Sequence, residues 1–164
     1  MVKPNKLFWN MGKHVLRYLR GTTEYGLWYR QTEGVKLQGF TNADWAGSPS
    51  ERNITSRGIF NIGSTIVSWY NMKQRSFALS SAEAEYMAAS QVACEAIWMR
   101  KILVGLFGHH MDPTLLHCGN KSCIKLSVNP VFHDRSNHID IWYHHLRDYV
   151  HRRIMLLQYI PIED

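Results

Sequence analysis

Apolar side chains recur at helical spacing near the start of the chain, where Phe8, Met11, Val15 and Leu19 share one stripe widened by Leu7, Trp9 and Leu16. Pro4 at the front and Gly21 just behind bound this amphipathic helix at Pro4 to Arg20. The pattern then turns to short β-type runs at Val35 to Thr41, Gly58 to Ile62 and Thr65 to Trp69. The last two meet at Gly63-Ser64, a hairpin signal, so the body opens on a three-stranded meander. Ser80 followed three residues later by Glu83 is a capping box, which predicts a helix through apolar sequence to about Leu106. A strand Thr114 to Cys118, a short helix after Asn120, a helix from about Ile139 to Arg153 and a strand Met155 to Ile160 complete the pattern.

One charge interrupts it. Stepping by helical spacing from Glu85 gives Ala89, Val92, Ala96, Met99 and Leu103, a core-facing stripe, whereas Glu83 leads to the mixed set Met87, Ser90 and Cys94. An inward carboxylate needs a partner or a metal. The competing reading is an ordinary amphipathic helix whose first-turn acids answer the macrodipole.

The chain has 164 residues, 45% hydrophobic and 12% aromatic, enough apolar mass for one core without crosslinks. Cys94, Cys118 and Cys123 are an odd number without framework spacing, which suits a reducing compartment and buried structural thiols. His117, Cys118 and Cys123 invite a zinc reading, but there is no Cys-x-x-Cys pair and the spacing fits no standard knuckle. The net charge of +6 is unevenly spread: residues 1–30 carry six basic side chains against Glu24 alone, and the remainder is nearly balanced. Attraction to phosphate is therefore expected mainly from the first helix, through Lys3, Lys6, Lys13, Arg17 and Arg20. Docking of that helix on the body ranks ahead of a mitochondrial presequence, which its basic, acid-free sequence also suits. No apolar run is long enough for a membrane span, and cytosol or nucleus is the expected location.

Gly39-Phe40-Thr41-Asn42-Ala43-Asp44-Trp45-Ala46-Gly47, the run Ser80 to Ala88 and His138-Ile139-Asp140-Ile141 occur in an order and at spacings that resemble the ribonuclease H domain of copia-type retrotransposon polyproteins. Thr65 to Trp69, Asn129 to His133 and Tyr159 to Asp164 extend the resemblance over about residues 34–164. Val15 to Thr22 resembles the stretch that joins the reverse transcriptase to that domain, so residues 1–33 read as a basic helix and connecting segment, with no polymerase motif. The resemblance implies an α/β ribonuclease H-like fold, a five-stranded mixed sheet with flanking helices. The chain stops in the segment that precedes the family's closing helix, so that helix is expected to be missing.

The same resemblance implies a site of acidic residues that hold two divalent metals for cutting the RNA strand of an RNA–DNA hybrid. The family's first acid falls at Asn42, its third at Gly119 and its fourth beyond Asp164, which leaves Glu85, the second, as the sole survivor. One such carboxylate cannot build a two-metal clamp, so the expectation is a degenerate enzyme that requires no cofactor, with weak magnesium binding by Asp44 and Glu85 at most. Asp44 lies two residues past Asn42, about 7 Å along a strand, and matches a residue of the family pattern additional to the catalytic one.

His133, His138, His144, His145 and His151 cluster around the last helix and read as packing or capping residues, and Trp69, Trp98 and Trp142 as core or interface anchors. An uncovered sheet face is expected to be filled by the first helix, a second copy or another protein, with self-association ranked first. Two function classes follow: an inactive retrotransposon-derived module for protein interaction or regulation, and a nucleic-acid module that binds RNA–DNA hybrids with feeble or no cutting.

Overall fold

The structure is a computed structural model, and it describes residues 5–31, 34–44, 54–74, 76–108, 110–128 and 145–161. Among the described residues the elements follow in the order α1 (Lys6–Gly21), β1 (Leu37–Asp44), β2 (Thr55–Ile62), β3 (Thr65–Lys73), α2 (Ser81–Phe107), β4 (Thr114–Cys118), α3 (Lys121–Val128), α4 (His145–His151) and β5 (Met155–Tyr159). The strands form one mixed sheet in the order β3-β2-β1-β4-β5. β1 pairs antiparallel with β2 and β2 with β3, whereas β4 runs parallel to both β1 and β5. This is the α/β architecture expected from the sequence.

Local chemistry explains the element ends. Asn5 caps α1 by accepting from the Leu7 N–H, and Gly63, at φ 62°, turns the two-residue β2–β3 hairpin. Ser80 accepts from the Glu83 N–H at 3.3 Å, and the Glu83 carboxylate reaches back to the Leu79 N–H at 2.7 Å. The other end of α2 stops at Gly108, in the left-handed region at φ 67°, whose N–H donates to the Val104 carbonyl. The predicted 139–153 helix is present as His145–His151, and residues 129–144 lie outside the described residues.

One sheet face carries the core. Leu37, Phe60, Leu116 and Met155 meet Val92, Ala93 and Ala96 of α2 and Leu146 of α4. Gly39 lets α2 come close, because a Cβ there would stand 3.0 Å from Val92 Cγ1 and 2.7 Å from Leu116 Cδ2. Polar staples hold the layers in place. The Gln74 amide donates to Ser56 Oγ and to the Ala84 carbonyl, tying the start of α2 to β2. Arg100 donates to the carbonyls of Asp112 and Met111 and to Thr114 Oγ1, tying the far half of α2 to the approach to β4.

Three expectations are corrected. All residues from Ala84 to Ser90 are buried, so this part of α2 is enclosed by α3 and α4 as well as by the sheet, and Met87 and Ser90 are core residues. Cys94 is exposed, and only Cys118 and Cys123 are buried thiols. Trp69 and Trp98 are 70% and 58% exposed and anchor no core; Trp142 lies outside the described residues.

Candidate functional site

The parallel pairing of β1 with β4 aligns Thr41 with Cys118, so Asn42 and Gly119 follow at the adjoining carboxyl-terminal ends of two neighbouring strands. α2 crosses β1 here and delivers Glu85. The backbone N–H of Ala43 hydrogen-bonds the Glu85 carboxylate. Thus β1, β4 and α2 bring the three positions that the sequence singled out to one end of the sheet, Glu85 on the α2 face and Asn42 on the face opposite it.

Glu85 is 7% exposed, and its Oε2 has no hydrogen-bond partner among the described residues. Burial raises its pKa above the ordinary glutamate value, and the Ala43 hydrogen bond offsets part of that rise. Beside it, the Cys123 thiol is held well above its ordinary value by its hydrogen bond with Cys118 and by burial, with the Glu85 charge adding to the effect. Gly119 has no side chain to offer, and Asn120 turns inward: its Oδ1 accepts from the N–H groups of Ser122 and Cys123 and caps α3.

Asp44 is engaged elsewhere. Its carboxylate pairs with Arg57 of β2 at 3.5 Å, and both side chains are well exposed. Alternation along β1 places Thr41 and Ala43 toward α2 and puts Asn42 and Asp44 on the opposite face. The same alternation separates His117 from Cys118: His117 stacks on Phe40 at 4.5 Å on the outer face, while Cys118 is buried beneath α2. The zinc reading of His117, Cys118 and Cys123 fails on this geometry. Among the described residues no three His, Cys, Asp or Glu side chains are grouped to hold a metal ion.

On the α2 face the donors at the strand ends are one desolvated carboxylate, Glu85, and the thiols of Cys118 and Cys123, whereas Asn42 and the Arg57-paired Asp44 lie on the opposite face. Hard divalent cations need several anionic oxygens, so this set does not fit a two-metal clamp.

The basic residues lie apart from this site. Lys6, Lys13, Arg17 and Arg20 are exposed along α1, with Lys13 Nζ over the Trp9 ring at 5.3 Å; Lys3 lies outside the described residues. His133, His138 and His144 also lie outside them, whereas His145 stacks on Tyr149 in α4. No helix among the described residues is long and apolar enough to cross a membrane. Sequence reading missed Thr41, whose buried Oγ1 lacks a partner among the described residues beside the site, and the Cys118–Cys123 contact. The alternation of β1 carried a signal for Thr41; the thiol contact depends on how the turn at Gly119 seats α3.

No family model matches the chain. Curated relatives do. The Pol polyprotein of transposon TNT 1-94 from Nicotiana tabacum is 38% identical over 90% of the chain, and that of transposon RE2 from Arabidopsis thaliana is 32% identical over 100% of the chain. The chain spans 11% of each polyprotein. A secreted RxLR effector protein from Plasmopara viticola is 45% identical over 58% of the chain and 68% of its own length. Among solved structures, the N-terminal ribonuclease H domain of a Mycobacterium tuberculosis protein superposes with a TM-score of 0.50 at 9% identity, over 78% of this chain and 84% of that one. That likeness concerns the fold.

Proposed function

From the premise that the chain belongs to the ribonuclease H-like region of copia-type retrotransposon Pol polyproteins, we propose that it is a catalytically inactive member that serves as a protein-interaction or regulatory module. The observation that carries this reading is the donor set at the ends of β1 and β4. Among the described residues Glu85 is the one carboxylate on the α2 face there, with its pKa raised by burial, and Asp44 at the end of β1 lies on the other face paired with Arg57. A relative named as an effector, of which the chain covers 68%, supports the idea that this sequence also works outside a polyprotein.

A second reading rests on α1, whose exposed Lys6, Lys13, Arg17 and Arg20 suit contact with phosphates: a module that binds RNA–DNA hybrids without cutting them. One experiment separates the two. A labelled hybrid is offered to the chain with magnesium and with manganese across a salt series, beside an active ribonuclease H as control. The expected result is no cleavage. Cleavage abolished by Glu85→Ala would overturn inactivity, and tight, salt-sensitive binding without cleavage would favour the second reading. Installing Asn42→Asp and Gly119→Asp together adds two carboxylates at the strand ends. It is expected to give magnesium-dependent stabilisation absent from the parent chain, about 1.4 kcal/mol at a tenfold excess over Kd.

A further inference from the structure

Among the described residues two apolar surfaces are left exposed. The first is α1. None of its residues is buried, and Leu7, Phe8, Met11, Val15, Leu16 and Leu19 are each more than half exposed, as are Trp9 and Tyr18. The second is the sheet face opposite α2. The helices α2, α3 and α4 pack on one another and on the core side, which leaves Ile59, Trp69 and Leu156 of the other face 40%, 70% and 47% exposed.

The segment joining the two is anchored at β3. Tyr29 donates its hydroxyl proton to the Ile66 carbonyl, and Thr65 Oγ1 donates to the Trp28 carbonyl at 2.8 Å. Tyr18, Tyr25 and Leu27 rim a cavity of about 640 Å³ whose floor includes Ile59 and Trp69. The connecting chain therefore stands over the bare face without filling it, while the stripe of α1 remains in solvent.

We propose that a second copy of this chain covers both surfaces by reciprocal exchange, the α1 stripe of each copy lying on the outer sheet face of the other. Dimensions agree. A helix of 16 residues is about 24 Å long, and four strand spacings cross about 19 Å, so one helix reaches over all five strands. Eight large apolar side chains contribute on the order of 100 Å² each, near the ~800 Å² per partner of a stable interface and above what a monomer usually leaves bare. Exchange engages that area twice. Apart from Tyr18 at the cavity rim, the arrangement observed leaves the α1 stripe exposed rather than seated on its own sheet, which is the form an exchanging protomer takes. The docked helix would keep Lys6, Lys13, Arg17 and Arg20 on its solvent side.

The test is light scattering on the size-fractionated full chain over a concentration series. The variants are a stripe variant, Val15→Glu with Leu19→Glu, and two face variants, Trp69→Glu and Leu156→Lys. All four positions are well exposed, so far-UV circular dichroism should be unchanged. The expected result is a dimer whose dissociation constant rises at least 100-fold in the stripe variant and in either face variant. Mixing stripe and face variants should restore dimer, because the intact stripe of one meets the intact face of the other. A monomer at every concentration would overturn the proposal, and with α1 protected from trypsin it would indicate docking within one chain. A dimer indifferent to both face variants, or a mixture with no recovery, would equally overturn it.

Discussion

Glu85 is the side chain whose surroundings depart furthest from what a carboxylate prefers. Its pKa is raised by burial, so the folded state binds its proton more tightly than the unfolded chain does. Its contribution is therefore intact below the ordinary glutamate value and is lost as pH rises through the raised folded value. Glu85→Gln removes the ionisable group at little cost in volume. It is expected to raise the urea midpoint at neutral pH, with the gain vanishing in acid. Urea titrations from neutrality to below the ordinary glutamate value check this, and equal effects at both ends would refute it. Gly58 offers a second case: a Cβ there would collide with the Tyr70 ring, so Gly58→Ala should cost about 1–3 kcal/mol in the same titration. At this scale the sequence was partly legible. The inward position of Glu85 follows from stepping along α2, whereas the Asp44–Arg57 pair depends on the register of β1 with β2, which alternation alone does not specify.

Elements were read more securely than their surroundings because their signals are local. The hairpin turn at Gly63-Ser64, the cap at Ser80 and the run Thr114 to Cys118 each announce themselves within a few residues, and the structure has a turn, a helix start and a strand there. The enclosure of α2 was not legible. It is made by α3 and α4, which reach it from tens of residues downstream, and by Arg147, whose guanidinium lies over the Tyr86 ring at 5.6 Å. β1 and β2 also begin or end three residues from the expected limits, since pairing with neighbours extends a strand beyond its apolar run. In this cap the Glu83 carboxylate accepts from the Leu79 N–H, one residue ahead of Ser80. Ser80→Ala leaves that bond intact and should cost about 1 kcal/mol, seen as a lower denaturation midpoint with unchanged slope.

Across the whole molecule, charge and apolar surface are segregated in the same way. Residues 1–30 carry most of the excess positive charge and residues 31–164 almost none, and α1 holds both that charge and the largest uncovered stripe. Any affinity of the chain for nucleic acid should therefore be carried by the arm and not by the strand ends, where Glu85 would repel phosphate when ionised. Each phosphate contact removed lowers the slope of log K against log salt by about 1. Replacing Lys6, Lys13, Arg17 and Arg20 with Gln should flatten the salt dependence of hybrid binding, whereas Glu85→Gln should leave the slope unchanged. Filter binding at four or five salt concentrations distinguishes these outcomes. A steep slope that survives the fourfold variant would place the phosphate contacts on the ribonuclease H-like body. The near-neutral charge of residues 31–164 would then conceal a local basic track built by folding.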